Sequence, residues 1–129
     1  MAGRFEVTLE ARFRAAHALR HYRGRTEPAH GHNFRVLVTV RGRKLDRAGI
    51  LVDFAELKPV IQQETRRLAG GLLNETVQEF RDDGGGLSPS TENIARLLYR
   101  RLRKRVPRGV KLVCVEVFES PGCSAAYRE

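Results

Sequence analysis

The sequence predicts an α+β domain in which one antiparallel four-stranded sheet packs under two helices, in the order β-β-α-α-β-β. Three observations predict it. Two N-terminal stretches alternate apolar and polar residues with a period of two, and two later stretches repeat apolar residues at helical spacing. The C-terminal end then returns to strand-like runs on either side of Pro121-Gly122. At 129 residues the chain is expected to be a single domain, 1–129, with neither a repeat nor an internal linker.

The first strand is read at 4–16 (RFEVTLEARFRAA). Phe5, Val7, Leu9, Ala11 and Phe13 fall on one face, and mainly charged or hydroxyl residues on the other. The second is read at 33–41 (NFRVLVTVR), with Phe34, Val36, Val38 and Val40 on one face. The connection at 18–29 is long for a hairpin loop, which points to a functional loop. Asp53 followed by Glu56 suggests a capping box at the start of a helix over 54–69. Its apolar face would carry Phe54, Leu57, Val60, Ile61 and Leu68, and Pro59, a little deep in the helix, is expected to kink its first turns. Ser88 or Ser90 can cap a second helix with Ile94, Leu97, Leu98 and Leu102 as its stripe. Residues 110–119 (VKLVCVEVFE) are apolar on both faces, as in a strand covered from two sides, which suggests that subunits pack on one another. Pro121-Gly122 suits a type II turn, and SAAYR forms the last strand.

Composition narrows the functional classes. Apolar content of 41% and charged content of 30% are those of a globular protein. No segment approaches the roughly eighteen apolar residues of a membrane span, and no signal-peptide pattern is present, so a cytoplasmic protein without a membrane partner is expected. The net charge of +9 invites a nucleic-acid reading. The basic residues are scattered, however, and the densest run, RRLRKRVPR at 100–108, sits largely on the polar side of a helix. Aromatics are not interleaved with the arginines, so no stacking platform is formed and nucleic acid is not expected as a partner. A surface that attracts a polyanionic small substrate is the better-supported use of that charge. If Pro121-Gly122 turns a hairpin, Ser120 faces Cys123 and Cys114 lies far up the partner strand. A disulfide is then geometrically poor, and a buried thiol is expected at Cys114.

The chemistry concentrates at EPAHGHNF, residues 27–34. His30 and His32 project to the same side of a strand, roughly 6–7 Å apart along the backbone, with Gly31 as a small spacer. Their phase is that of Phe34 through Val40. The apolar phase of the first strand, continued past Phe13 and Ala15, arrives at His17. If the strands are neighbours, three imidazoles converge, the ligand set of a catalytic zinc with one open position. His21 has no such phase and reads as a solvated loop residue.

The motifs FRAAHAL (13–19), HGHNFRV (30–36), VDFAELK (52–58), LLNETV (72–77), PSTENIA (89–95) and VEVFESPGCSAAY (115–127) occur in order along the chain. Together they resemble the 6-pyruvoyl-tetrahydropterin synthase and 6-carboxy-tetrahydropterin synthase family over essentially the whole length. The resemblance implies a tunnelling fold (T-fold), with three subunits forming a β-barrel and two trimers stacking into a hexamer. It implies Zn2+ on His17, His30 and His32, and Glu119 as the anchor of the pterin ring. A carboxylate suits that role, because it accepts two parallel hydrogen bonds from an amino-pyrimidinone edge. The implied substrate is 7,8-dihydroneopterin triphosphate or a close relative.

The sequence also departs from the better-known members. Where they place a catalytic cysteine ahead of the HGH, this chain has Gly24 and Thr26; where they place an Asp-His pair, it has Ala69 and Gly70. What remains is Glu27, in the spacing E-x-x-H-G-H. This resembles the subgroup in which glutamate replaces cysteine and the side chain is cut to give 6-hydroxymethyl-7,8-dihydropterin for folate synthesis. Glu27 is then the candidate acid/base, alone or with His21 or Tyr22. The alternatives are a divergent synthase in tetrahydropterin or deazapurine (queuosine) metabolism and a non-catalytic zinc- and pterin-binding oligomer.

Overall fold

The computed structural model describes residues 3–129. Its elements are β1 (Phe5–His17), β2 (His30–Gly42), α1 (Phe54–Arg66), α2 (Leu73–Thr76), a 3-10 turn (Gln78–Phe80), α3 (Thr91–Leu102), β3 (Lys111–Ser120) and β4 (Cys123–Tyr127). The four strands form one antiparallel sheet in sequence order, β1-β2-β3-β4, and α1 and α3 cover one of its faces. The α+β class and strand count agree with the alternation seen in the sequence.

The core lies where period-two strands meet period-3.6 helices. Phe34, Val36, Val38 and Val40 on β2 are fully buried, as are Leu57, Ile94, Leu98 and Leu102 from the helices. Phe34 also stacks on Phe13 of β1 at a centroid distance of 4.8 Å. Loss of such a ring from a closed core costs about 3–5 kcal/mol. The apolar phase frays at its ends. Phe5 is 47% exposed at the outer tip of β1, and Phe54 is 58% exposed, so neither joins the faces expected of it.

Boundaries moved for local reasons. β2 begins at His30 rather than 33, because the HGH stretch pairs with the end of β1 throughout. Helix α1 ends at Arg66, short of 69; Leu68 is still buried, but Leu68 and Ala69 close 3-10-type bonds to Thr65 and Arg66. Asp53 caps α1 by accepting from Ala55 N at 2.9 Å, without a reciprocal bond from Glu56, so the cap is single rather than a box. Pro59 is accommodated inside the helix. Of the two serines proposed as caps, Ser90 caps α3 through Asn93 N.

Strand β3 explains its own unbroken apolar run. Its register with β2 shifts between Thr39 and Val40, leaving Val113 as an extra residue. The bulge changes the phase, so Leu112, Val115 and Val117 all reach the helix-covered face. On the opposite face Glu116 and Phe118 are half-exposed, so the single chain covers β3 fully from one side only. The β3-β4 turn is not type II, since Gly122 is not among the residues with positive φ. A second register shift, between Phe118 and Ser120, leaves Glu119 as the bulged residue beside the turn. Cys114 is buried, Cys123 is exposed, and both are free thiols.

Candidate metal centre

The β1-β2 register pairs His17 directly with His30 and Ala15 with His32. The three imidazoles therefore meet on the helix-covered face at one end of the sheet, with ring centroids 4.6–5.1 Å apart and near-perpendicular planes. One nitrogen from each lies within 4.8 Å of the others, an arrangement able to hold a metal ion. Phe34 forms the floor, edge-on to His17 and His32 at 5.5 Å. A Cβ at Gly31 would meet only ordinary contacts, so the glycine is not sterically required for the histidines to share a side.

His17 decides whether the donors suit a cation. It is 1% exposed, and its Nδ1 donates to the Pro89 carbonyl at 2.7 Å. That bond places the proton on Nδ1 and leaves the Nε2 lone pair facing the cluster. Nε2 is the one buried side-chain polar atom among the described residues with no hydrogen-bond partner. Burial pushes the imidazole pKa below its usual 6.5 and outweighs the Pro89 bond, which acts in the opposite direction, so the ring is neutral near pH 7. A buried, neutral imidazole with an unsatisfied lone pair fits a metal cation. His30 Nδ1 and His32 Nε2 lie 2.8 Å apart, one of them carrying the proton between them.

Glu27 sits at the edge of this cluster. Its Oε1 accepts from His30 Nε2 at 2.8 Å and from Leu19 N at 3.1 Å, while Oε2 makes no hydrogen bond. The His30 bond holds the carboxyl below its usual 4.5, keeping Glu27 ionised. His21 and Tyr22, considered as its partners, form no hydrogen bond to it. Both are exposed, and Tyr22 lies beneath the Arg23 guanidinium.

Three positioning contacts escaped the sequence reading. Leaving β1, the N–H groups of Ala18, Leu19 and Arg20 are taken in turn by Asn74 Oδ1, Glu27 Oε1 and Ser88 Oγ. Asn74 also donates Nδ2 to the Ala18 carbonyl at 2.8 Å, so one amide grips both sides of a residue next to His17. Asn74 lies in the motif LLNETV and Ser88 directly precedes PSTENIA, but no periodicity assigns either a partner. The same holds for Thr91, whose hydroxyl donates to Glu119 Oε1 at 2.6 Å. The Pro89-Ser90-Thr91 segment thus grips His17 with one residue, caps α3 with the next, and holds Glu119 with the third. Glu119 lines a concavity of about 220 Å³ with Thr91, Glu92, Cys123, Ser124 and Ala125. A larger hollow of about 580 Å³ lies between residues 44–56 and 107–109, away from the histidines.

The model of the 6-pyruvoyl tetrahydropterin synthase family matches residues 6–129. The chain belongs to this family. It is 33% identical to the 6-carboxy-5,6,7,8-tetrahydropterin synthase of Bacillus subtilis over 128 residues, covering 96% of this chain and 85% of the relative. It is also 33% identical to the dihydroneopterin monophosphate aldolase of Pyrococcus furiosus over 113 residues, 88% of each chain. Among solved structures, the Caenorhabditis elegans 6-pyruvoyl tetrahydropterin synthase superposes with a TM-score of 0.80 at 21% identity, covering 99% and 97% of the two chains. The Plasmodium vivax enzyme, in a catalytic-residue mutant with glutamate replaced by alanine, gives 0.77 at 21% identity over 98% of each chain. The fold is therefore the T-fold of the family, and the relatives place this member in pterin metabolism. Where better-known members carry an Asp-His pair, Gly70 has φ +91 and donates its N–H to the Arg14 carbonyl. A histidine would be strained there, so this backbone is built for glycine.

Proposed function

We infer that this member is a zinc-dependent pterin lyase that cleaves the side chain of 7,8-dihydroneopterin triphosphate, or a related phosphate ester, between its first and second carbons. The products are 6-hydroxymethyl-7,8-dihydropterin and a two-carbon aldehyde bearing the phosphate. The observation that carries this reading is Glu27: Oε1 is joined to His30 of the histidine cluster at 2.8 Å, and Oε2 is uncommitted. The kinship with an aldolase acting on a dihydroneopterin phosphate supports it, as does the use of a catalytic glutamate in the Plasmodium vivax relative.

His17, His30 and His32 would hold the zinc, which supplies Lewis-acid stabilisation of charge on the substrate's side-chain oxygens. Glu119 accepts the pterin's amino and ring N–H groups, and Thr91 keeps that carboxylate oriented. Glu27, ionised, takes the proton of the hydroxyl on the second side-chain carbon. The carbon-carbon bond then breaks, its electron pair remaining on the first carbon next to the ring while the second becomes the aldehyde carbon. The protonated carboxyl returns its proton to the first carbon. One carboxylate therefore serves both steps, without the cysteine and Asp-His pair of better-known relatives. The reading takes the protein as cytoplasmic, with no nucleic-acid or membrane partner. It also takes it as a trimer or hexamer, consistent with a sheet whose edge strands β1 and β4 are both unpaired along most of their outer sides. No helix of the described chain is long and apolar enough to cross a membrane.

The test is incubation of the zinc-loaded protein with dihydroneopterin triphosphate and with the monophosphate, followed by mass identification of the products. Hydroxymethyl-dihydropterin that disappears with Glu27→Ala is expected. A carboxy or pyruvoyl product would replace this reading with a divergent synthase, which the Bacillus subtilis relative favours. Pterin binding without turnover would make the protein a binding oligomer.

A further inference from the structure

The loop between β1 and β2 is tied at its base, where Glu27 N donates to the Leu19 carbonyl at 3.0 Å and Glu27 Oε1 receives Leu19 N. Within it the chain makes a miniature hairpin. Tyr22 N donates to the Arg25 carbonyl at 2.7 Å and Arg25 N to the Tyr22 carbonyl at 3.2 Å. Arg23 and Gly24 take the corners with φ of 52° and 81°, the sign that a type I′ turn requires at both central residues. His21 precedes them at φ 57°, and His21 and Arg23 are the only non-glycine residues of the described chain with positive φ. Asparagine or glycine is the ordinary choice at the first corner. An arginine there is a local conflict of the kind that concentrates at functional sites.

The loop's charge is as unusual as its backbone. Residues 18–26 contain three arginines and no acid. Arg20 is spent on structure: its guanidinium reaches Asp82 and the Leu87 carbonyl and is mostly buried. Arg23 lies over the Tyr22 ring at 5.3 Å, which steadies it without neutralising it. Arg23 and Arg25 are both exposed, and neither has a carboxylate partner among the described residues, whereas the half-buried Arg20 and Arg35 are paired with Asp82 and Glu10. Arg25 stands two residues from Glu27, so their Cα atoms are within about 7 Å.

We propose that Arg23 and Arg25, presented by this hairpin, form the subsite for the phosphate of a phosphorylated substrate whose reacting carbons lie at Glu27 and the histidine cluster. The inference rests on the lyase reading for the identity of the substrate, but its chemistry is that of phosphate alone. A phosphate on the terminal side-chain carbon is only one carbon beyond the bond that breaks, so its recognition site must lie beside the acid/base. Guanidinium groups meet phosphate oxygens in paired hydrogen bonds, and two arginines without carboxylate partners, in the loop that carries Glu27, raise the local concentration of an anion. The tied base of the loop then links phosphate binding to the position of Glu27.

The test uses the full-length zinc-loaded protein and the double variant Arg23→Gly/Arg25→Gln, in which glycine keeps the positive φ and glutamine keeps the polar stem. Calorimetry with inorganic tripolyphosphate should show binding to the parent that weakens with salt and falls at least tenfold in the variant. The ratio of kcat/KM for phosphorylated over unphosphorylated dihydroneopterin should fall at least tenfold as well, and Arg25→Lys should retain part of it. An unchanged tripolyphosphate affinity, no tripolyphosphate binding by the parent, or an unchanged ratio overturns the proposal. If the parent turns over no pterin at all, the lyase reading fails, and the tripolyphosphate titration still judges the arginines.

Discussion

The Pro89 carbonyl accepts the Nδ1 proton of His17 at 2.7 Å, and this one contact determines which nitrogen His17 presents to the cluster. A residue at the mouth of α3 thereby sets the tautomer of a residue at the end of β1. From it follows the first expectation. Zinc should bind the purified chain, and His17→Ala should lose more affinity than the roughly 10–100-fold that removal of a merely supporting group costs. Competition with a chromophoric chelator measures it, and an affinity unchanged in the variant would remove His17 from the ligand set.

Glu27 separates two roles by substitution. Glu27→Gln keeps an oxygen able to accept from His30 Nε2 and Leu19 N but cannot carry a proton at neutral pH. Turnover should vanish while zinc affinity stays within a few-fold of the parent. Glu27→Ala should lose turnover and also some 10–100-fold in zinc affinity. Parallel kinetics and zinc titration check this, and a Gln variant that still turns over substrate would exclude Glu27 as the acid/base.

Asn74→Ala should destabilise the protein by about 1–3 kcal/mol, because it strands both the N–H and the carbonyl of Ala18 at a partly buried position. Urea unfolding reads the loss. Since Ala18 follows His17, zinc affinity should fall in the same variant, and a stability loss with zinc binding intact would show that the grip is structural alone.

Acidity should unfold the zinc-free protein earlier than its carboxylates require. Burial holds His17 below its usual 6.5, whereas the unfolded chain takes up that proton near 6.5. Between those two values the unfolded state binds more protons, so stability rises with pH and is lost as pH falls below 6.5 toward the folded pKa. The slope from one such group is at most about 1.4 kcal/mol per pH unit. Urea midpoints between pH 7.5 and 5 should show it, and His17→Asn should flatten the profile.

Particular residues show why parts of this were readable in advance. His17, His30 and His32 were legible because side-chain phase along a strand is strictly periodic, and the run of apolar residues beside each histidine declares its face. Glu27 was legible only as a spacing, since nothing local says that its Oε1 would bond His30. The bulges at Val113 and Glu119 were not legible, because an extra residue in one strand is defined by the partner it fails to oppose. The type II turn expected at Pro121-Gly122 is likewise absent, and it lies next to one of these bulges.

Sequence alone therefore suffices for the class, the order of elements along the chain, the histidine cluster and the family, all of which follow from periodicity and from motifs whose spacing is local. It leaves open how those parts are held. Asn74 on Ala18, Pro89 on His17 and Thr91 on Glu119 join residues far apart in the chain, and a hydrogen bond across such a separation exists only once the helices have docked on the sheet. The conformation of Arg23 is likewise a product of closing the loop between two strands already in register, since an isolated arginine gains nothing from positive φ. Burial patterns are written into the order of residues; long-range polar pairing is settled by the fold that the burial produces.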